Sequence, residues 1–375
     1  MATLKTVKIF PTIGIARLGN SPEWYIGTEL PFPAPPPVPP GGTYKDAQCR
    51  IKRQAQRFRL FGYYDDNSVM ELTTADGTIQ WTVHLANAKA QATEGITIDP
   101  GPRTLNGMND EATFANGTYK GIEVPLGEAH TDTAGRLIVI GGFGMSASPT
   151  NATITTFENN VGWYDDISDG PVNATITING MAFQAAGAWV ICPPPRYAPT
   201  VNSVISLYDT FRQVAIDTGM LPQPGQPSFV NDIWPILTRA LNMRRVVAFG
   251  FAPGDHDTLT TVIPPGPGQD TARQRIFAKI ANPAGGGGNM PLLSRGGTDV
   301  PPTLRPFQYN QMQNWSQGNF TNDWPPTIPT TVTPDGMEQA ALENCVGAVF
   351  FPGIEATGTM RTFADVEPFR LDQTA

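Results

Sequence analysis

Proline and glycine interrupt this chain at short intervals, and they limit the folds that are open to it. The sequence has 38 glycines and 37 prolines among 375 residues, about a fifth of the chain and well above ordinary usage. Proline lacks the backbone N–H that helices and sheets use, and glycine loses more backbone entropy on folding than any other residue. The pattern therefore predicts short strands, few long helices and many long loops rich in proline and glycine.

Apolar periodicity divides the chain into two unlike halves. In the first half, alternation of apolar and polar residues predicts strands within segments 5–18, 51–64 and 172–178. Further strands are predicted at the start of 79–90, in the buried apolar run within 135–144, and at 188–191. In the second half, a 3.6-residue period predicts helices at 203–218, 229–243, 271–280, 308–315 and 337–342. We expect Asn231 or Asp232 to cap the helix at 229–243, because short polar side chains accept hydrogen bonds from the first turn.

These patterns predict a β-rich α+β fold, with a strand-dominated N-terminal half and a more helical C-terminal half. A proline-rich segment at Pro193–Pro199 marks a soft boundary. We therefore expect a β-rich region at 1–195 and a mixed helical region at 196–375, either as two domains or as parts of one.

Composition excludes several classes of function. The net charge of −8 leaves no basic footprint, so we expect no nucleic-acid partner. The longest apolar runs are too short to cross a bilayer, so we expect no membrane association. The N-terminus lacks an uninterrupted apolar segment, which predicts a cytoplasmic protein or one exported without a recognisable signal peptide.

Potential metal ligands are few and scattered. The three cysteines and three histidines are Cys49, Cys192, Cys345, His84, His130 and His256. Their number and spacing fit neither a disulfide framework nor a zinc site, so we expect no metal. The close carboxylates Asp165, Asp166 and Asp169 could bind a hard cation, but aspartates that cap a turn are the commoner explanation and the one we favour.

Arginines cluster in the segment 51–64, where Phe58 and Leu60 alternate with Arg57 and Arg59. Such a strand can present its guanidinium groups to a carboxylate or phosphate ligand, because arginine binds these anions through two hydrogen bonds. It can also pair them with acidic loops of the same chain. We favour pairing within the chain.

The segment Leu342–Glu355 (LENCVGAVFFPGIE) places Cys345 in an apolar run before a Pro-Gly turn. A free cysteine in such a run is commonly a small buried hydrophobic residue. Six further segments of the chain are informative together with this one: Pro11–Asn20, Tyr44–Tyr64, Trp81–Ala90, Gly135–Gly144, Trp163–Val172 and Glu367–Asp372. Together they resemble the LodA-like family, the L-lysine 6-oxidase and glycine oxidase group.

The resemblance implies a specific cofactor and reaction. LodA-like proteins carry cysteine tryptophylquinone, in which a cysteine thioether joins an oxidised tryptophan. It implies oxidative deamination of a primary amine of an amino acid to an aldehyde or oxo acid, with release of ammonia and hydrogen peroxide. Cys345 matches the cofactor-forming cysteine, and Glu338 is our candidate for the catalytic carboxylate that removes a proton from substrate. The implied partners are a small amine or amino acid, oxygen and further copies of the chain.

Two departures from the family pattern bear on the cofactor. Thirty residues follow Cys345 and none is tryptophan, whereas the family's quinone-forming tryptophan lies several dozen residues beyond the cysteine. The family also has an aspartate a few residues before the cysteine, where this chain has Ala341; the nearest carboxylates are Glu338 and Glu343. Only the Cys345 half of the cofactor is therefore expected in this chain.

Three interpretations follow. In the first, the tryptophan comes from a missing C-terminal part or from a second polypeptide. In the second, the chain is a short homologue without a quinone, and it acts as a binding or assembly protein. In the third, Cys345 is itself a nucleophile, which would need an activating base such as His84 or His256 close in space. We favour the first.

Overall fold

The structure is a computed structural model that describes residues 2–156, 160–199, 201–243, 255–290, 303–347, 365–371 and 373. Seventeen strands lie in its first half: β1 (Leu4–Phe10), β2 (Ile13–Ile15), β3 (Trp24–Ile26), β4 (Arg53–Tyr64), β5 (Val69–Leu72), β6 (Thr78–Val83), β7 (Arg103–Asn106), β8 (Glu111–Thr113), β9 (Thr118–Tyr119), β10 (Ile122–Glu123), β11 (Gly127–Thr131), β12 (Leu137–Gly141), β13 (Ser146–Ala147), β14 (Tyr164–Asp165), β15 (Ser168–Ile178), β16 (Met181–Gln184) and β17 (Ala188–Cys192). A short hairpin, β18 (Asp365–Glu367) and β19 (Arg370–Leu371), follows near the C-terminus.

Helices dominate the second half of the described chain. There they are α2 (Leu207–Asp217), α3 (Trp234–Asn242), α4 (Asp255–Thr260), α5 (Asp270–Phe277), α6 (Pro306–Ser316) and α7 (Pro334–Glu343), with a π turn at Phe229–Ile233. The first half contains the short α1 (Gln91–Glu94) and a 3-10 turn at Pro40–Gly42. The longest of these helices has eleven residues, which agrees with the prediction of few long helices, whereas β4 with twelve residues and β15 with eleven are longer than the short strands that we predicted. None of the helices in the described ranges has the length and apolar content needed to cross a membrane.

Two sheets share one hydrophobic core. The first has the order β1-β4-β12-β11-β8, with β3 and β5 also paired to β4; the second has the order β2-β17-β15-β6-β7, with β16 paired to β15. Most pairs are antiparallel, whereas β2–β17 and β3–β4 are parallel. Phe58 and Leu137 of the first sheet and Trp81 and Val172 of the second lie in the same buried cluster. This arrangement confirms the β-rich N-terminal half.

The arginines of β4 pair with carboxylates of neighbouring segments, as we favoured. Arg57 and Arg59 both bind Glu29, at 2.9 Å and 2.8 Å, and Arg59 also lies 2.9 Å from Glu71. Arg53 lies 2.9 Å from Glu128 on β11. The guanidinium groups therefore tie the sheet to its own loops and strands.

The predicted cap of the helix at 229–243 is wrong. Ser228 has extended backbone angles, and its hydroxyl accepts a hydrogen bond from the Asn231 N–H, so the helical segment begins earlier with the π turn. Asp232 instead accepts from the Ser228 N–H at 3.0 Å. Ser228 is therefore the cap, because its hydroxyl already accepts from a free N–H of the first turn, and Asn231 and Asp232 lie inside that turn.

The turn-cap interpretation of the aspartate cluster is also wrong for Asp165 and Asp169. They lie in β14 and β15, and their side chains bond to other segments: Asp165 to Asn87, and Asp169 to the Trp189 indole at 3.0 Å. Among the described residues no group of His, Cys, Asp or Glu has the arrangement of a metal site.

A third hydrophobic cluster connects the sheets with the helices. It contains Ile13 and Ile15 of β2, Ile191 of β17, Leu207 and Phe211 of α2, Leu342 of α7, and Cys345, Phe369 and Leu371. We call it the junction cluster. It packs the end of α7 and the C-terminal hairpin against the edge of the second sheet, and Cys345 lies within it.

Candidate functional site

The segment after α7 is fixed by backbone pairing with the start of α2. The Leu207 N–H donates to the Cys345 carbonyl at 2.9 Å, and the Gly347 N–H donates to the Ile205 carbonyl at 3.0 Å. The first of these bonds satisfies an N–H at the beginning of α2, which has no partner within the helix. Residues 345–347 therefore hold a defined position next to the capped N-terminus of α2.

Gly347 is required at its position by close approach of the backbone. A Cβ atom there would lie 1.9 Å from the Ser206 carbonyl oxygen. The Gly347 carbonyl accepts hydrogen bonds from Thr210 Oγ1 at 2.7 Å and from Arg305 Nη2 at 2.5 Å. The rest of the sequence motif, including Pro352–Gly353 and Glu355, lies outside the described residues.

The Cys345 thiol is buried and faces guanidinium groups. Arg17 Nη2 lies 3.6 Å from the sulfur and donates to the Asn344 carbonyl at 3.0 Å, while Arg196 Nη1 donates to Asn344 Oδ1 at 2.6 Å. Burial raises the pKa of Cys345, and Arg17 and Arg196 oppose this rise only in part. The thiol is therefore protonated at neutral pH.

The third interpretation, a lone nucleophile, gains no support from this environment. A nucleophilic cysteine needs a lowered pKa or a nearby base, and the pKa of Cys345 is raised. His84 binds Asp99 at 2.7 Å, and the side chain of His256 is outside the described set. The groups next to the sulfur are cations, which have no free lone pair to accept its proton.

The residues present fit only the cysteine half of a cysteine–tryptophan cofactor. All seven tryptophans lie within the described ranges. Trp189 packs against the junction cluster, but its indole N–H donates to Asp169. Trp315 and Trp324 belong to a separate cluster among the helices. The polar contact of the Cys345 sulfur is with the Arg17 guanidinium.

Glu338 lies on α7 two turns before Cys345 and is held by Thr12. Its Oε1 accepts from the Thr12 N–H at 2.6 Å, and its Oε2 lies 2.8 Å from Thr12 Oγ1. The same Oγ1 lies 2.7 Å from the Phe369 carbonyl oxygen. A hydroxyl has one proton, and the carbonyl can only accept, so both contacts are hydrogen bonds only when Glu338 carries a proton on Oε2.

The electrostatic environment of Glu338 agrees with a protonated carboxyl. Burial raises the pKa of Glu338 to about 8, and the hydrogen bonds from Thr12 and the charge of Arg370 offset only part of that effect. Glu338 is therefore a neutral acid at pH 7 that can lose its proton just above neutrality.

Glu338 lines a cavity of about 600 Å³, which we call the Glu338 cavity. Lys8, Tyr208, Arg212 and Asp335 contribute further polar groups to its wall. Lys8 is paired with Glu367 at 2.5 Å, whereas Asp335 forms no ion pair with any residue of the described ranges. A cavity of this size with cations, carboxylates and a protonated acid can hold a small polar molecule.

Glu343, the other carboxylate near Cys345, has a different environment. It lies 2.9 Å from Arg239, which also lies 2.8 Å from Asp209 on α2. All three side chains are buried. Glu343 therefore belongs to an ion-pair network between α2, α3 and α7, away from Thr12.

One N-terminal segment organises both predicted site residues. Thr12 holds Glu338, and Arg17, just past β2, contacts the Cys345 sulfur. Sequence reasoning missed Thr12, Arg17 and Arg196. The signal available for the first two was the segment Pro11–Asn20, which contains them and carries part of the family resemblance.

Comparisons with known proteins agree on one family. The family model "L-Lysine epsilon oxidase N-terminal" matches residues 10–95 and 91–192. A second family model, "L-lysine epsilon oxidase C-terminal domain", matches residues 298–375. An L-lysine 6-oxidase of Marinomonas mediterranea is 24% identical in an alignment of 470 positions that covers 95% of this chain. The chain spans 63% of the length of that curated relative.

Solved structures show the same fold. The crystal structure of the L-Lys epsilon-oxidase from Marinomonas mediterranea superimposes with a TM-score of 0.77 at 22% identity, covering 98% of this chain and 68% of the other. The Schiff base intermediate of that enzyme with L-Lys gives a TM-score of 0.75 at 21% identity, with the same coverage. The predicted β-rich α+β fold is therefore confirmed.

Proposed function

Because the chain belongs to the L-lysine epsilon oxidase family, the LodA-like proteins, we propose that it forms the scaffold of an amino-acid oxidase. The reaction is oxidative deamination of a primary amine of an amino acid. One amine, one oxygen molecule and one water give an aldehyde or oxo acid, ammonia and hydrogen peroxide. The observation that supports this function best is the buried, protonatable Glu338 on the wall of a cavity, on the helix that ends two residues before Cys345.

Glu338 is the group in this proposal that accepts a proton from substrate. An ionised Glu338 has a free lone pair on Oε2, and its high pKa makes it a stronger proton acceptor than an ordinary carboxylate. Thr12 holds Oε1 through its N–H in both protonation states, so the carboxyl group stays oriented. The walls of the Glu338 cavity limit water at this carboxyl.

Cys345 is the cofactor-forming residue in this proposal. Arg17 and Asn344 fix the position of its thiol, and the Arg17 charge favours the thiolate that bond formation requires. The cysteine tryptophylquinone, when complete, supplies an electrophilic carbonyl and accepts two electrons. Its tryptophan comes from a C-terminal part beyond these residues or from a second polypeptide. The active form is, by family tendency, a homo-oligomer.

A second function is favoured by the environment of the thiol. The Cys345 sulfur contacts the Arg17 guanidinium at 3.6 Å, and this cation occupies one side of the thiol. A homologue without a quinone would keep the Glu338 cavity and bind a small ligand or assemble with a partner, without redox chemistry.

The intact mass and the absorbance of the purified protein distinguish these functions. A quinone adds two oxygen atoms and removes hydrogens, or attaches a second peptide, and it absorbs visible light. We expect wild-type protein to show this mass and a visible band, and to release peroxide from at least one amino acid in a peroxidase-coupled assay.

Cys345→Ser is expected to abolish the band and the peroxide, because the thioether cannot form. Cys49→Ser is the matched control, since Cys49 is exposed, and it is expected to retain both. A wild-type mass equal to that of the bare sequence, without band or peroxide, would exclude the oxidase function for this chain.

A further inference from the structure

Two arginines from the first half of the chain meet at the C-terminal end of α7. Arg17 Nη2 donates to the Asn344 carbonyl at 3.0 Å, and Arg196 Nη1 donates to Asn344 Oδ1 at 2.6 Å. Asn344 is the C-cap of α7, so one residue holds both guanidinium groups at the end of the helix. We call Arg17 and Arg196 the arginine pair. The proposed reaction uses Arg17 to position the Cys345 thiol and does not use Arg196.

The hydrogen bonds of the arginine pair within the described part of the chain go to neutral groups. Besides Asn344, Arg17 Nη1 donates to the Pro194 carbonyl at 3.2 Å, and Arg196 Nη2 donates to Asn202 Oδ1. Arg17 Nε is a buried donor that has no hydrogen-bond partner among the described residues. Buried donors are almost always paired, because an unpaired one loses its bonds to water without replacement. An acceptor supplied by a bound molecule would complete this group.

The two positive charges are not balanced by the side chains around them. Burial lowers the pKa of Arg196, and the neighbouring charge of Arg17 lowers it further. The groups that oppose this effect include Tyr25 and Cys345, whose own pKa values are raised by burial, that of Tyr25 to about 12. Both are therefore uncharged at neutral pH. The C-terminus of α7 offers only a partial negative charge, about half a unit, so most of the charge of the pair is left without a counter-charge.

Two tyrosines beside the arginine pair add hydroxyl donors. The rings of Tyr25 and Tyr44 pack edge to face with their centroids 5.7 Å apart, and both tyrosines interact electrostatically with Arg196. The Tyr25 hydroxyl contacts Gln54 Oε1 and the Tyr44 hydroxyl contacts the Pro37 carbonyl, each at 3.4 Å. These distances are long for a hydrogen bond between two oxygens. Either hydroxyl can therefore turn to a better acceptor at little cost.

We propose that the arginine pair is a binding site for a doubly charged oxyanion, either sulfate or a phosphate group. One such anion balances both guanidinium charges, whereas a halide or a single carboxylate leaves one positive charge without a partner. Its oxygens accept from Arg17 Nε, from the N–H groups of Arg196 that Asn344 and Asn202 leave free, and from the Tyr25 hydroxyl. Guanidinium groups suit this ligand because their planar N–H donors match the spacing of oxyanion oxygens. Water alone could satisfy Arg17 Nε, but it would not balance the charge.

Calorimetric titration of the full chain at matched ionic strength tests this site with sulfate, phosphate, acetate and chloride as probes. Sulfate is expected to bind about tenfold or more tightly than acetate or chloride at pH 8. Phosphate is expected to match sulfate at pH 8 and to bind more weakly than sulfate at pH 6, because it takes up a proton and loses one charge while sulfate keeps both. Equal affinities for sulfate and chloride, or a phosphate-to-sulfate ratio that does not change with pH, would contradict the proposal.

Variants assign the binding to the arginine pair. Arg196→Gln is expected to weaken sulfate about tenfold or more, because it removes one charge and its charge-assisted hydrogen bonds, and Arg196→Lys is expected to recover part of that loss. Tyr25→Phe keeps the ring and removes a hydroxyl, and it is expected to weaken sulfate about threefold. Lys5→Gln, which removes a positive charge at an exposed position of β1, is the control and is expected to change nothing.

Sulfate binding that is unchanged in both Arg196→Gln and Tyr25→Phe would place the anion elsewhere and overturn the inference. Should Arg196→Gln not fold, Tyr25→Phe and the comparison of phosphate with sulfate in the wild type still decide it. Glycerol 3-phosphate identifies the source of the anion: affinity equal to that of phosphate supports an organic phosphate as the ligand, and weaker binding supports the free ion.

The inference and the proposed function fail separately. If Arg196→Gln weakens sulfate binding in a protein with the bare mass of the sequence and no visible band, the anion site stands and the oxidase function fails. If the wild type carries the quinone and releases peroxide but does not distinguish sulfate from chloride, the oxidase function stands and the anion site is overturned.

Discussion

At the scale of single residues, the Thr12 hydroxyl links the protonation state of Glu338 to the contact between Thr12 and the Phe369 carbonyl. The Thr12 hydroxyl has a single proton, which it can donate to the Phe369 carbonyl. It can therefore also hydrogen-bond Glu338 only while Oε2 of Glu338 is protonated and donates to it. Loss of that proton leaves two acceptors competing for one donor in a buried site. The same contacts join the β1–β2 turn, α7 and the C-terminal hairpin, so ionisation of Glu338 weakens a connection between three parts of the fold.

The first residue-scale prediction concerns stability as a function of pH. The pKa of Glu338 is about 8 in the folded protein against an ordinary 4.5. The folded state therefore binds more protons than the unfolded state between these values, and Glu338 lowers stability progressively as pH rises from about 4.5 to 8. Glu338→Gln mimics the protonated acid and does not ionise. We expect its advantage over wild type, measured by urea unfolding, to grow across that window and stay constant above it.

Glu123→Gln is the control for this measurement. Glu123 is exposed on β10 and forms no ion pair with the residues described. Its substitution is expected to give a difference from wild type that does not change between pH 5 and pH 9. A pH-independent difference for Glu338→Gln would contradict the protonated state of Glu338.

At the scale of elements, the end of α7 and the start of α2 form one unit around Cys345. The capping box of Ser206 and Asp209 fixes the first turn of α2, and the carbonyl of Cys345 accepts the next free N–H. Asp209 in turn reaches Arg239 on α3 and through it Glu343 on α7. The cysteine is therefore positioned by helix ends and buried ion pairs, which are less mobile than a surface loop.

The element-scale prediction concerns Gly347. Gly347→Ala would place a Cβ atom 1.9 Å from the Ser206 carbonyl, so the pairing with the start of α2 must shift. We expect a loss of about 1–3 kcal/mol in the free energy of unfolding, measured by chemical denaturation. The control is Gly266→Ala, whose nearest neighbour is at an ordinary 3.6 Å. Equal stability of the two variants would mean that the segment 345–347 is not held against α2.

At the scale of the whole molecule, the junction cluster connects the two halves of the chain. It takes residues from β2 and β17 in the first half and from α2, α7 and the C-terminal hairpin in the second. We propose that the regions 1–195 and 196–375 unfold as one cooperative unit, because neither can be separated without exposing this shared apolar surface.

Leu342→Ala tests this coupling. Leu342 is fully buried in the junction cluster, so its truncation leaves a cavity and is expected to cost about 2–5 kcal/mol of unfolding free energy. A single transition in calorimetry should move to lower temperature as a whole. Met181→Ala, at a side chain that is 63% exposed, is the control and should change stability little. Two separate transitions, only one of them shifted, would show that the halves are independent domains.

Many of the longer elements were predictable from the sequence because their signals are local. Apolar patterns predicted β4, β12, β15 and β17, and helical periodicity predicted α2, α3, α5, α6 and α7, within a few residues of their observed ends. The cap of α3 was missed because Ser228 stands before a π turn that no simple pattern announces. Asp165 and Asp169 were misread because their partners, Asn87 and Trp189, come from other strands.

The sequence by itself determined the order of strands and helices, the family, and the choice of Cys345 and Glu338 as candidate site residues, since these depend on neighbours along the chain. Only the tertiary structure decided what surrounds them. Thr12 meets Glu338 across 326 residues, and Arg17 meets Cys345 across 328. The raised pKa of Glu338 and the guanidinium at the thiol both arise from burial among side chains from distant segments. Burial is a property of the packed fold, and no local pattern contains it.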